Sequence, residues 1–141
     1  KNHRFFLEIA KKLIEIDPNY RFFIVGDGEE LNSLVNYCNI LDLEYSYKTP
    51  SKSSICFTSW IKEMDQVYDG VDIVCLTSAN EGTPVSLIEA QAAGKYIVST
   101  EIGGVKDINY SGNFFKRRGG IALARRVSHI CTGAVGHLWQ G

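Results

Sequence analysis

The sequence lacks the features that mark membrane-spanning and secreted proteins. No apolar run among its 141 residues approaches the roughly 18 needed to span a bilayer. No signal-peptide pattern opens the chain, which begins with Lys1-Asn2-His3-Arg4. The length suits one domain, and 45% hydrophobic with 22% charged residues is an ordinary globular balance. We therefore expect a cytoplasmic domain, with peripheral contact at the inner face of the membrane left open.

Residue spacings typical of metal sites are also absent. The four cysteines include no pair at CxxC spacing, and the three histidines show no ligand spacing with one another or with cysteine. Cys38, Cys56 and Cys75 lie within apolar stretches, whereas Cys131 does not. We expect three buried, reduced thiols and no structural metal.

Acidic residues are missing from the end of the chain. Residues 1–115 contain 10 Lys or Arg and all 16 Asp or Glu, a net charge of −6, whereas residues 116–141 contain five Lys or Arg and a net charge of +5. The clusters Lys116-Arg117-Arg118 and Arg125-Arg126 suit contact with anionic lipid head groups or nucleic acid. A solvated or disordered tail is the simpler interpretation, and we expect no nucleic-acid partner.

Helical and strand patterns alternate up to residue 100. Apolar residues at helical spacing predict helices at 3–16, 31–41, 61–71 and 83–94. Short apolar runs predict strands at 21–25, 55–57, 72–76 and 96–99, with a loop or weak strand within 44–54. This order predicts an α/β fold, a Rossmann-like parallel sheet with helices on both faces. Such sheets bind ligands at the carboxyl ends of their strands.

Three strand ends carry loops suited to ligand binding, namely Gly26-Asp27-Gly28, Thr77 to Pro84 and Thr100 to Gly104. Gly26-Asp27-Gly28 permits close backbone approach to a phosphate, although a tight turn is the simpler interpretation and the third glycine of a dinucleotide fingerprint is absent. Glu81 and Glu89 flank the start of the 83–94 helix, whose free N–H groups suit a phosphate or sugar oxygen. Glu89 has room to accept hydrogen bonds from the two hydroxyls of a vicinal diol. The alternative is that Glu89 is only solvated and that Glu81 compensates the helix dipole.

Several motifs occur together, in order and at fitting spacing. The chain resembles the C-terminal, nucleotide-sugar-binding domain of a family four (group 1) glycosyltransferase over residues 1 to about 108. Glu81 and Glu89 match the two ends of that family's Glu-x7-Glu motif. The residues that carry the resemblance are Lys1-Asn2, Phe23-Ile24-Val25-Gly26-Asp27-Gly28-Glu29, Asp72-Ile73-Val74, Ser78-x-x-Glu81-Gly82-x-Pro84-x-Ser86-Leu87-Ile88-Glu89-Ala90-x-Ala92-x-Gly94 and Gly103-Gly104.

The resemblance implies one half of a GT-B fold, retaining chemistry, and no metal or other cofactor. It implies that Glu89 binds the donor ribose, that Glu81 is catalytic and binds the donor sugar, and that Lys1 neutralises the donor diphosphate. Trp60 and Ile61 would pack the nucleobase. The other donor-binding residues it implies are Gly26, Gly28, Gly82, Thr83, Pro84, Val85 and Ser86. The donor would be a nucleotide sugar, most simply a UDP-sugar, and the acceptor a glycan or lipid held by an N-terminal domain.

The sequence departs from the family pattern at both ends. The family's preceding strand, with its phosphate-binding arginine, and its acceptor-binding domain have no counterpart in these residues. We therefore expect a donor-binding domain at 1–108 with a truncated first strand, inactive alone, and a divergent segment at 109–141. Because the charge pattern changes where the resemblance stops, we expect that segment to be mobile and foreign to the fold.

Two other functions fit the same residues. A UDP-sugar epimerase of the same two-domain architecture would bind the same donor without an acceptor. A non-catalytic binding or scaffold domain of this fold would use the basic segment to contact its partner. The Glu-x7-Glu context favours the transferase over both.

Overall fold

Helices and strands alternate along the chain, as the sequence pattern predicts. The computed structural model describes residues 1–49 and 52–100 together with the backbone of one strand at 114–117. The helices are α1 (His3–Ile16), α2 (Leu31–Ile40), α3 (Met64–Gly70) and α4 (Val85–Ala92). The strands are β1 (Phe22–Ile24), β2 (Tyr45–Tyr47), β3 (Ile55–Phe57), β4 (Ile73–Leu76), β5 (Tyr96–Thr100) and β6 (Phe114–Arg117).

All described strand pairs are parallel, but they form two three-stranded sheets rather than one. Their orders are β1-β3-β2 and β4-β5-β6, with Phe22 opposite Ile55 and Ile73 opposite Tyr96. β6 lies within 109–141, and the rest of that segment is outside the described residues. The predicted fold class, a Rossmann-like α/β arrangement of parallel strands flanked by helices, is confirmed.

The first sheet packs against α1 and α2. Leu7 and Ala10, one turn apart on α1, are fully buried, which is what the apolar stripe at helical spacing predicts. The helix ends at Ile16 because Pro18 follows, and the Asn19 amide donates to the Asp17 carboxylate across the turn (2.9 Å). The buried residues of this core are Leu7, Ala10, Tyr20, Phe22, Leu34, Cys38, Leu43, Ile55 and Phe57.

The second sheet packs against α3 and α4, which places α4 beside the ends of β4 and β5. Its buried residues are Tyr68, Leu76, Leu87, Ala90 and Ile97. We predicted that Thr83 and Pro84 form the first turn of this helix, and this was wrong. The helix begins at Val85, since Pro84 has an extended ψ of 86° and occupies the N-cap position. Gly94, at φ +70°, follows the helix end as predicted.

The thiols depart from prediction at one position. Cys38 and Cys56 are buried, and burial raises the pKa of Cys38 to about 11 and raises that of Cys56. These two thiols are therefore protonated and poor nucleophiles. Cys75 is only half-buried, because it lies on β4, which borders an open groove. Cys131 lies outside the described residues.

An apolar groove of about 440 Å³ separates the two sheets. β1 and β4 are the edge strands that flank it among the described residues. The Asp72 carbonyl accepts a hydrogen bond from the Tyr96 amide on the other side. Because successive residues of a strand direct their N–H and C=O groups to opposite sides, the backbone polar groups of Ile73 face the groove. The strand expected before Lys1 stays a prediction.

Candidate functional site

The start of the chain lies against the carboxyl end of β4. Thr77, the residue after this strand, is buried, and its hydroxyl donates to the carbonyls of Lys1 (3.3 Å) and Asn2 (3.2 Å). The Thr100 hydroxyl, at the end of β5, donates to the Ser78 carbonyl (2.7 Å). These bonds fix the loop after β4 and bring Lys1 to the edge of the sheet where the predicted site lies.

Lys1, Ser78 and Glu81 form a polar cluster at this edge. The Lys1 Nζ lies 2.6 Å from Glu81 Oε1, and the buried Ser78 hydroxyl donates to the same oxygen. The Glu81 side chain is 10% exposed, whereas that of Lys1 is 59% exposed. The Lys1 ammonium and then the Ser78 hydroxyl hold the pKa of Glu81 below its usual range, against the opposing effect of burial. Glu81 is therefore ionised and fixed, and Lys1 presents a cation to solvent.

The lowered pKa of Glu81 predicts a pH-dependent contribution to stability. Its carboxylate stabilises the fold fully above the unfolded-state pKa near 4.5, and this is lost as the pH falls through the lower folded-state pKa. We expect Glu81→Gln to lower the thermal unfolding midpoint by about 2–5 °C at neutral pH and to have no effect near pH 2. Thermal scans from pH 7 downward test this. A deficit that persists at the acid end would contradict it, and exposed Glu29→Gln is the control.

The second carboxylate of the motif is held by a different partner. Glu89 is exposed on α4, and its Oε2 accepts a hydrogen bond from the hydroxyl of Tyr68 (2.8 Å). The other oxygen, Oε1, has no hydrogen-bond donor among the described residues. The two acids therefore have distinct surroundings: Glu81 is ion-paired and nearly buried, whereas Glu89 is neutralised by no cation among its described contacts and accepts from a phenol.

The loop after β1 is joined to the loop after β3. Gly26 has φ +110°, a conformation that favours glycine, and the next residue, Asp27, accepts a hydrogen bond from the Trp60 amide (3.1 Å). The Trp60 side chain is 76% exposed. A core role for this indole is thereby excluded, and its ring is free to stack on a planar ligand.

Gly28 and Gly82 have no structural reason to be glycine. Neither has a positive φ, and a Cβ built at either position meets no atom of the described residues within 4 Å. As far as these residues define it, the space beside both backbones is open, which fits close approach by a ligand.

The structure brings some predicted residues together and leaves others apart. Gly26, Trp60, Ile61 and Ser86 border the groove between the sheets. Lys1 and Glu81 are joined by their ion pair. Gly28, Gly82, Thr83 and Val85 are exposed, as is Glu89, whereas Pro84 is buried.

Sequence reasoning missed two contributors to this site. Tyr68 lies within the helix predicted at 61–71, where its spacing indicates only a place on the apolar stripe, and Thr77 directly follows the strand predicted at 72–76. At neither position does the sequence show whether the side-chain hydroxyl forms a hydrogen bond with a residue far away along the chain.

The described residues contain neither a cluster of metal-ligating side chains nor a helix that could span a membrane. No group of three or more His, Cys, Asp or Glu side chains there is arranged to hold a metal ion. None of the helices there has the length and apolar character required to cross a bilayer.

Comparison with known proteins places the chain in a family. A family model described as glycosyl transferases group 1 matches residues 1–132. The chain is 33% identical over 108 residues to the UDP-Gal:alpha-D-GlcNAc-diphosphoundecaprenol alpha-1,3-galactosyltransferase of Escherichia coli, covering 74% of this chain and 26% of that protein. It is 32% identical over 109 residues to an uncharacterized glycosyltransferase of Haemophilus influenzae, covering 77% and 29%.

A more distant relative is matched over a longer stretch. The putative glycosyltransferase EpsD of Bacillus subtilis is 22% identical over 138 residues, which is 92% of this chain and 33% of that protein. The chain thus spans about a quarter to a third of the length of these relatives. Because the family model covers most of the chain and the predicted motif residues lie within it, the chain belongs to the group 1 glycosyltransferases.

Proposed function

We propose that this chain is the donor-binding part of a retaining glycosyltransferase that uses a UDP-hexose. The donor would lie along the carboxyl ends of the strands, with its uracil on Trp60, its ribose on Glu89 and its diphosphate at Lys1. The acceptor would be a glycan or a lipid-linked sugar held by another domain. The name of the Escherichia coli relative, a UDP-Gal-dependent transferase acting on a diphosphoundecaprenol, supports this donor and acceptor class.

The observation that carries the proposal is the Lys1–Glu81 pair beside the start of α4. A nearly buried carboxylate holds an exposed ammonium at 2.6 Å, and this carboxylate lies four residues before the first residue of α4, Val85. A helix N-terminus and a fixed cation both favour a phosphate group. Open space beside the Gly82 backbone gives the donor sugar access to the same point.

The proposed chemistry assigns a role to each charged group. During transfer, the bond between the anomeric carbon and the diphosphate oxygen breaks, and the nucleoside diphosphate leaves with the electron pair. The acceptor hydroxyl forms the new bond and its proton passes to a phosphate oxygen. Lys1 stabilises the charge that develops on the leaving group, since fixed charges act most strongly where charge appears in the transition state. Glu81 holds Lys1 in place and accepts hydrogen bonds from hydroxyls of the donor sugar.

Removing the Glu89 carboxylate tests the proposed ribose site. We expect Glu89→Ala to weaken UDP binding by about 10-fold, because hydrogen bonds to a charged group typically contribute about 1.5–3 kcal/mol. Isothermal titration calorimetry of the chain with UDP measures this. The control is Glu8→Ala, which also removes an exposed glutamate that accepts from a tyrosine (Tyr37, 2.7 Å), but on α1.

The result separates the candidate functions. A folded chain that binds no UDP, or that binds it equally after Glu89→Ala, contradicts the proposal. Conversion of a UDP-sugar to its epimer by the full-length enzyme without acceptor would favour the epimerase instead.

A further inference from the structure

Tyr68 is a buried aromatic residue with a polar contact that its position in the core does not require. It lies on α3 and is 4% exposed, packed among Leu76, Leu87, Ala90 and Ile97. Its ring accounts for the packing. Its hydroxyl makes an additional contact, because it donates a hydrogen bond to Glu89 on α4, 21 residues further along the chain.

The hydroxyl bridges two groups one turn apart on α4. It lies 2.8 Å from Glu89 Oε2 and 3.2 Å from the carbonyl oxygen of Ser86. A phenol has one proton, and the shorter contact, to a carboxylate, is the stronger acceptor. Burial, then the bond to Glu89, raises the pKa of Tyr68 far above its usual range. The phenol is therefore protonated and donates its hydrogen bond at neutral pH.

This contact restrains a side chain that is otherwise mobile. Glu89 is exposed, and an exposed glutamate samples many rotamers that binding must freeze. A bond from a residue locked in the core removes that freedom before any ligand arrives, which is how preorganisation increases affinity. It also occupies one carboxylate oxygen, Oε2, whereas the other, Oε1, has no hydrogen-bond donor among the described residues and is available to accept from a ligand.

We propose that Tyr68 is a positioning residue that fixes the Glu89 carboxylate, so that its outer oxygen accepts a vicinal diol and rejects ligands that lack one. This deepens the proposed function and rests on it, because it assigns to Tyr68 the discrimination between ribose and deoxyribose in the bound nucleotide. A site that relies on hydrogen bonds to a hydroxyl discriminates strongly against the analogue without it.

The test compares UDP with 2′-deoxy-UDP by titration calorimetry, using the whole chain. Tyr68→Phe keeps the ring and deletes the hydroxyl. We expect it to weaken UDP binding about 5-fold and to leave 2′-deoxy-UDP binding unchanged, so that the preference for ribose falls by the same factor. On a Glu89→Ala background, Tyr68→Phe should have no further effect on UDP binding.

Tyr37→Phe is the matched control. It also deletes a tyrosine hydroxyl that donates to a glutamate, Glu8, at 2.7 Å, but between α1 and α2. We expect it to leave both affinities unchanged. Equal loss for both nucleotides after Tyr68→Phe, or no loss for either, would overturn the positioning role.

Two further outcomes keep the proposals separate. If Glu89→Ala abolishes the ribose preference and Tyr68→Phe preserves it, the proposed function stands and the role of Tyr68 is wrong. If the wild-type chain shows no ribose preference, the ribose site itself fails. If Tyr68→Phe does not fold, a measurement on the wild-type protein still tests the proposal. We expect the hydroxyl proton of Tyr68 to exchange slowly with solvent when followed by NMR. Exchange as fast as that of a free phenol would overturn the proposal.

Discussion

Lys1→Met weakens the binding of UDP by about 10- to 100-fold and leaves the binding of uridine unchanged: this is the expected result if Lys1 binds the donor diphosphate. Hydrogen bonds between charged groups contribute about 1.5–3 kcal/mol, which corresponds to that range. The loss has a second cause. Without the ammonium 2.6 Å away, the Glu81 carboxylate faces the diphosphate as an uncompensated like charge.

A lysine elsewhere on the chain gives the control for this experiment. Lys11 also pairs with a glutamate, Glu15, at 3.7 Å, but both lie on α1. Lys11→Met therefore removes the same charge and an ion pair of the same kind. Calorimetric titration with UDP and uridine compares the two variants. If Lys1→Met weakened the binding of UDP and of uridine equally, or if Lys1→Met and Lys11→Met weakened UDP binding equally, Lys1 would act through net charge or folding rather than by contact with phosphate.

The second large effect concerns stability. Leu87 is fully buried on α4, between Glu81 and Glu89 in sequence, and packs with Tyr68, Leu76, Ala90 and Ile97. Leu87→Ala removes three buried carbons and leaves a cavity, which typically costs about 2–5 kcal/mol. Set against a total free energy of unfolding of about 5–15 kcal/mol for a domain, this is a substantial fraction.

Urea unfolding followed by circular dichroism measures the effect. The adjacent residue provides the control, because Ile88 is 44% exposed and its side chain lies on the outer face of the same helix. We expect Ile88→Ala to change the free energy of unfolding by less than about 1 kcal/mol. Comparable losses for Leu87→Ala and Ile88→Ala would mean that α4 does not pack on the sheet through Leu87.

The location of the candidate site at the carboxyl ends of the strands is a prediction that the sequence alone allows, because it depends on a general property of parallel sheets. The run Phe22-Phe23-Ile24 is too apolar to be a half-exposed strand, and the residues after such strands meet at one edge. This property, together with the Glu-x7-Glu motif, predicts that Glu81 and Glu89 lie at a ligand site, and their binding roles stay predictions. The weak strand at Tyr45–Tyr47 was harder to predict, since its flanks are polar and its rings pack on Phe57 of the neighbouring strand.

The contacts that tune the two acids did not follow from the sequence. A tyrosine on the buried stripe of a helix has the same periodicity whether or not its hydroxyl meets a carboxylate 21 residues away. Sequence patterns also identify strands without stating which of them pair. The division between β1 and β4 was for that reason not evident from apolar runs. The predicted start of α4 at residue 83 precedes the observed start at Val85 by two residues, which is a usual error for a helix boundary.

The division into two sheets has a consequence for cooperativity. With no described strand between β1 and β4, the half containing α1 and α2 and the half containing α3 and α4 share side-chain packing but no backbone ladder. The hydrogen bonds from Thr77 to Lys1 and Asn2, and the Lys1–Glu81 ion pair, cross this division. The donor, as proposed, would touch Lys1 on one side of this division and Glu89 on the other. Its binding would then favour the state in which the two halves are packed together, so that donor occupancy and the stability of the domain are linked by mass action.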